Sequence, residues 1–96
     1  MKVTVFGTKD CDACKAARAK IDYFARKWGT SKETTLEFVD MGTPDGLAEG
    51  AYRDVYDIPT VVFEQGGREV ARWVKTVPVS EEFKKYFFKE CVDQES

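Results

Sequence analysis

Cys11 and Cys14 are separated by Asp12 and Ala13 in the run Cys11-Asp12-Ala13-Cys14. Two thiols at this spacing can close into a disulfide and reopen. The attacking species in such chemistry is the thiolate. A free cysteine titrates near ~8.5, and a helix N-terminus lowers that value through its unpaired N–H groups and partial positive charge. The apolar run Val3-Thr4-Val5-Phe6 lies just before the motif, and a helical pattern starts at it. Cys11 is therefore expected at a helix N-terminus with its sulfur at the molecular edge, and Cys14 in the first turn on the inner face. Cys11 is the candidate nucleophile, forming a mixed disulfide with a substrate. Cys14 is the candidate resolving thiol, which attacks the Cys11 sulfur and releases the reduced product.

The charges around the motif bear on its potential. Asp10 and Asp12 flank Cys11 and oppose the helix dipole, which raises the expected Cys11 pKa, while Lys9 and Lys15 push the other way. A less stabilised thiolate means a less stabilised reduced form, so a reductant is expected rather than an oxidant. The same spacing also suits half of a zinc or iron–sulfur site, or two buried structural cysteines. Zinc takes four ligands. The chain has three cysteines and no histidine, so a single chain offers only Cys11, Cys14 and the distant Cys91; a metal shared between two chains stays open. The missing histidines exclude histidine-based acid–base chemistry. Cys91 reads as a packed or partly exposed free thiol, with a regulatory or dimer-forming thiol as the other reading.

The elements that must position these thiols follow from local patterns. Residues 2–7 form a short apolar, β-branched run ending at Gly7, a buried strand. From about residue 12 to 28, Cys14, Ala17, Ile21, Phe24, Ala25 and Trp28 recur at the helical period, and Gly29 follows as a stop. Residues 35–40 alternate as a second strand. Thr43 and Pro44 are a helix start, and Leu47, Ala51, Tyr52 and Val55 are the expected inner face of that helix. Two apolar segments, residues 60–64 and 69–74, flank Gly66-Gly67 and read as a hairpin. Ser80 is the expected cap of a last helix with Glu81 and Glu82 in its first turn and Phe83, Phe87 and Cys91 on its packing face. The order βαβαββα makes the first two strands, joined by a helix, a parallel pair by right-handed crossover. The expected architecture is α/β, a four-stranded mixed sheet flanked by three helices.

The chain's 96 residues suit one domain, read here as residues 1–92 with 93–96 frayed. Apolar residues make up 43%, enough for a core. Fifteen basic and 17 acidic residues are interspersed for a net charge of -2, which gives no nucleic-acid footprint. No apolar stretch approaches the ~18 residues of a membrane span. The N-terminus opens into a strand pattern rather than a signal-peptide core. The expected compartment is the cytoplasm, where a C-x-x-C is more often redox-active or metal-binding than structural. Trp28 reads as core, Trp73 as half-exposed on an edge strand, and Tyr56 fits either the core or a groove beside Pro59.

Over nearly its whole length the chain resembles the thioredoxin superfamily. The residues that carry the resemblance are Cys11-Asp12-Ala13-Cys14 and Ile58-Pro59-Thr60-Val61-Val62-Phe63, followed by Gly66-Gly67. The resemblance implies a thioredoxin-like fold and a cis Ile58–Pro59 bond that places Pro59 against the active-site disulfide. It also implies a substrate-docking edge at Ile58, Pro59 and Thr60, where the backbone of Ile58 receives a substrate segment as an added strand. Read alone, Pro59 is an ordinary strand-start proline.

The position of Cys11 directly after the first strand is similar to glutaredoxins, whereas Ile58-Pro59-Thr60 is similar to thioredoxins. Two departures matter. The Gly-Gly-x-x-Asp by which glutaredoxins hold glutathione is absent, since Arg68, Glu69 and Val70 follow Gly66-Gly67, which counts against glutathione binding. The thioredoxin Trp-Cys-Gly-Pro-Cys is also absent, and the buried acid of that group falls at Val5, with Glu37 and Asp40 as weak substitutes. The nearest resemblance is to compact, glutaredoxin-sized, thioredoxin-behaving proteins of prokaryotes. It implies an enzyme reducing disulfide-containing protein substrates, without a cofactor, and itself reduced by a partner such as a flavin-dependent thioredoxin reductase. A monomer is expected. The alternative class is a non-catalytic thioredoxin-fold module binding a metal or a partner through the C-x-x-C.

Overall fold

The computed structural model describes residues 1–87; Cys91 and the end segment 93–96, discussed above, lie outside the described residues. The elements in chain order are β1 (Lys2–Gly7), α1 (Asp12–Lys27), a 3-10 turn (Ser31–Glu33), β2 (Thr35–Asp40), α2 (Pro44–Tyr52), β3 (Thr60–Gln65), β4 (Arg68–Val74) and α3 (Ser80–Phe87). The sheet order is β2-β1-β3-β4. β1 and β2 are parallel, and β1–β3 and β3–β4 are antiparallel. This is the expected βαβαββα order with a mixed four-stranded sheet.

β1 and β3 are the inner strands, covered on both faces, so both read as near-continuous apolar runs rather than alternating ones. Val3 and Val5 of β1 meet Val61 and Phe63 of β3, Ala17 and Ile21 of α1, and Phe83 of α3 on one face. Phe6 and Val62 meet Met41 and Val55 on the other. An aromatic cluster closes the first face, with Phe63 beside Phe83, Tyr86 and Phe87 and Trp28 beside Phe24 and Phe83. Trp73, expected to be half-exposed on an edge strand, packs edge-to-face on Phe63 at 5.1 Å and is partly buried.

α1 buries Cys14, Ala17, Ile21 and Ala25, the expected stripe. It ends because Gly29 takes a left-handed conformation, φ 72, and the N–H of Thr30 closes back onto the Ala25 carbonyl at 2.8 Å. The hairpin turn works similarly, with Gly66 and Gly67 both at positive φ. Ser80 is the first residue of α3 rather than the residue before it.

α2 departs from the sequence pattern. Leu47 is 55% exposed, Tyr52 is 88% exposed, and Ala51 also faces out. Gly46 and Gly50 form the buried face instead, and of the expected row only Val55, beyond the helix, is buried. The cause is close approach. A Cβ on Gly46 would overlap the Asp40 carbonyl, and one on Gly50 would lie 2.7 Å from Met41 Cε. Where the Asp40 backbone and the Met41 side chain press this closely on the helix backbone, the residues at the contact are the ones without side chains, and hydrophobic periodicity points to the wrong face.

Candidate active site

Three chain segments meet at one end of the sheet. The register pairs Phe6 with Thr60, Gly7 with Asp40 and Thr60 with Val74. The loop that leaves β1 towards Cys11, the Ile58–Pro59 segment that enters β3, and the end of β2 therefore emerge side by side.

Cys11 is the N-cap of α1, with extended backbone at φ -88 and ψ 108. Its N–H donates to the Thr8 carbonyl at 3.3 Å and its carbonyl accepts from Lys15 N at 3.1 Å. Its Sγ takes the role usually filled by a serine or aspartate oxygen, accepting the N–H of Cys14 at 3.1 Å. Cys11 and Cys14 are joined as a disulfide, with Cα atoms 5.2 Å apart. Cys11 is half-buried and Cys14 fully buried. Asp10, Asp12 and Lys15 are all exposed around the pair.

Gly7, which the sequence marks only as a strand end, sits against Cys14: a Cβ there would overlap Cys14 Sγ and lie 3.4 Å from Phe38 Cε1. The single signal for it is a glycine placed just before the cysteine loop.

The Ile58–Pro59 bond is cis, as the resemblance implies. The Pro59 carbonyl accepts from Lys75 N at 2.8 Å. Thr60 Oγ1 donates to the Asp57 carbonyl at 2.7 Å, tying the loop on the other side. Among the described residues, no hydrogen bond uses the N–H or the carbonyl of Ile58. Tyr56 is 72% exposed beside this loop, which decides against the core reading. Arg72 was not singled out by its sequence context, yet it donates to the carbonyls of Arg53 and Asp54 and holds the entrance to the loop from β4.

Val5 is fully buried where the resemblance would put an acid. Among the described residues, neither substitute hydrogen-bonds to a cysteine. Glu37 pairs with Lys2 at 3.5 Å, and Asp40 Oδ1 accepts the Gly42 N–H at 2.8 Å. Among the described residues, no three cysteine, aspartate, glutamate or histidine side chains converge on a common point.

No protein-family model and no curated protein matches this sequence. Solved structures do. Thioredoxin 1 from Thermosipho africanus superposes with a TM-score of 0.73 at 22% identity, covering 99% of this chain and 98% of that one. Thioredoxin O2 from Arabidopsis thaliana, in its oxidized state, gives 0.68 at 21% identity, over 93% of this chain and 72% of that one. Mitochondrial thioredoxin 3 from Saccharomyces cerevisiae, also oxidized, gives 0.68 at 14% identity, over 92% and 76%. The chain thus has the thioredoxin-like fold. Within that fold it carries a C-x-x-C-spaced pair at the N-terminus of its first helix.

Proposed function

We propose that the chain is a thiol–disulfide oxidoreductase that reduces protein disulfides by dithiol exchange. The observation that carries this reading is the N-cap position of Cys11 Sγ, where it receives the Cys14 N–H at 3.1 Å. A sulfur so placed is favoured as the thiolate, both by the hydrogen bond and by the helix dipole. Cys14 lies buried one turn behind it, within bonding reach and away from substrate.

The Cys11 thiolate attacks one sulfur of the substrate disulfide. That S–S bond breaks, a mixed disulfide forms, and the departing thiolate takes a proton from water. Cys14 gives up its proton to water, attacks Cys11 Sγ and expels the second substrate thiolate. Two electrons pass to the substrate and the Cys11–Cys14 disulfide is left. Ile58, Pro59 and Thr60 form the docking edge in this reading, and the unused N–H and carbonyl of Ile58 support it. Asp10, Asp12 and Lys15 set the thiolate's stability. No cofactor takes part, since the electrons reside in the thiols. A flavin-dependent thioredoxin reductase is the kind of partner that would regenerate the dithiol, in a cytoplasmic setting and with the protein as a monomer. The missing glutaredoxin aspartate counts against glutathione in that role.

The test is the reduction potential of the pair, by equilibration in dithiothreitol and glutathione buffers with mass-spectrometric thiol counting. A reversible two-electron transition near about -270 mV is expected. A stoichiometric metal in the purified protein, lost in Cys14→Ser, with no reversible transition, would instead establish the binding module.

A further inference from the structure

Beside the cysteine pair lies a notch of about 370 Å³ lined by Thr8, Lys9, Lys15, Arg18, Phe38 and Asp40. Three of its six residues are cationic. None of Lys9, Lys15 and Arg18 forms an ion pair among the described residues. The one carboxylate, Asp40, already accepts the Gly42 N–H. Arg18 lies over the Phe38 ring at 5.5 Å, an arrangement that leaves the edge of its guanidinium available to a further acceptor.

A trough of about 550 Å³ shares Lys15 and Arg18 with the notch and is lined further along α1 by Asp22 and Arg26. Asp22 and Arg26 pair at 3.2 Å, which leaves Lys9, Lys15 and Arg18 as the lining cations without an ion pair among the described residues. The opposite wall is β2, which among the described residues is an edge strand paired with β1 alone. Leu36 and Phe38 of that strand line the trough. Asp10 and Asp12 are themselves exposed next to Cys11.

We infer that this trough is a specificity site for an acidic segment of the protein substrate, lying next to the disulfide that Cys11 attacks. The inference rests on the exchange reading above and adds the substrate class. Its length favours a polypeptide over a small anion. Arg18 is seven residues along the helix from Cys11, about 10 Å at ~1.5 Å per residue. About three residues of extended chain cover that distance, which places the recognised carboxylates some three positions from the substrate cysteine. Charges at such an exposed site act mainly on encounter rate and partner choice and weaken with salt.

The experiment uses two disulfide-linked peptides that differ only in carrying Glu or Lys at the second to fourth positions from the cysteine. The wild-type ratio of kcat/KM, acidic over basic, is expected to be about tenfold at low salt and to fall toward unity near ~0.5 M salt. The combined variant Lys9→Glu, Lys15→Glu, Arg18→Glu is expected to invert the ratio. Arg18→Gln alone, a milder change, lowers it about threefold. A change in Cys11 reactivity affects both peptides alike and cancels in the ratio. A wild-type ratio within about twofold of unity, or one unmoved in Arg18→Gln, overturns the inference while leaving the exchange reading intact. If neither peptide is reduced, the exchange reading fails. Fluorescent versions with serine for cysteine then decide the trough alone: tighter binding of the acidic one supports it, and equal binding overturns it.

Discussion

Arg72 Nη1 donates to the carbonyl of Asp54 at 2.9 Å, joining edge strand β4 to the turn that leaves α2. Asp54 is in the left-handed region, φ 58, a conformation that aspartate tolerates better than most residues. The Arg72 Nη2 donates to the neighbouring Arg53 carbonyl at 2.8 Å, while Glu69 grips the guanidinium at 2.9 and 2.8 Å. Arg53 reaches the other way. Its guanidinium lies over Phe6 and its Nη2 is 2.7 Å from Glu64 Oε1, close but without hydrogen-bond alignment. The chain entering the Ile58–Pro59 segment is therefore clamped to the hairpin by two arginines, with Arg72 making the better directed bonds.

Arg72→Ala removes both backbone bonds and leaves Glu69 unpaired. Hydrogen bonds from a charged donor contribute ~1.5–3 kcal/mol each when well formed, and solvent reduces that here. A loss of about 1–2 kcal/mol is expected in urea unfolding. Faster hydrogen exchange confined to residues 53–60 is expected as well. Arg72→Lys should recover little, because an ammonium cannot span two carbonyls and a carboxylate in one plane. Unchanged exchange in that loop would show that Arg72 does not position it.

The same cluster sets a pH dependence. The hydrogen bond from Arg72 is the main cause that holds the Glu69 carboxyl below the usual glutamate range, with burial opposing it. A carboxyl whose folded-state pKa is depressed adds stability above its unfolded pKa and loses it as pH falls through the folded value. The stability difference between wild type and Glu69→Gln should therefore be present at neutral pH and vanish in acid, below the ordinary glutamate range. Glu69 is substantially exposed, so the difference stays under about 1 kcal/mol. Denaturant midpoints at neutral and acid pH, for both proteins, are the measurement. A difference that grows in acid would contradict the assignment.

The thiol pair was legible because its chemistry is local: a cysteine at a helix start declares itself by the strand before it and the period after it. The stripe of Cys14, Ala17, Ile21 and Ala25 was legible for the same reason. The α2 face was not, because Leu47 and Tyr52 are apolar residues that the fold leaves outside while two glycines make the contact. The Arg72 clamp was invisible for a different reason. Its partners are carbonyls 18 and 19 residues away, and a backbone acceptor has no side-chain signature.

Gly46→Ala tests the α2 reading. Helix propensity alone predicts a gain of up to about 1 kcal/mol for this change. The structure predicts the opposite sign, since the added methyl would overlap the Asp40 backbone carbonyl and the helix must move to admit it. A loss of about 2–4 kcal/mol is expected. Leu47→Ala, on the exposed face, should stay within about 0.5 kcal/mol of wild type. Thermal or urea unfolding of both variants decides. A stabilised Gly46→Ala together with a strongly destabilised Leu47→Ala would restore the face that periodicity suggested.

On the exchange reading, Gly7→Ala probes the resolving step without replacing either cysteine. The added Cβ would coincide with the space of Cys14 Sγ, and Phe38 on the far side limits where the methyl can go. Cys14 must turn away or the β1 end must shift, so the thiol loses its approach to Cys11 while Cys11 keeps its N-cap position. Attack on substrate then proceeds and release slows. The expected result is accumulation of a mixed disulfide between Cys11 and a disulfide peptide, visible by mass spectrometry and removed by excess dithiothreitol. It should resemble Cys14→Ser in kind but with slow turnover in place of none, at a stability cost of about 1–3 kcal/mol. In Cys11→Ser no adduct should form at all. If Gly7→Ala turns over at the wild-type rate with no adduct, the contact between Gly7 and Cys14 is not what holds the resolving thiol in place.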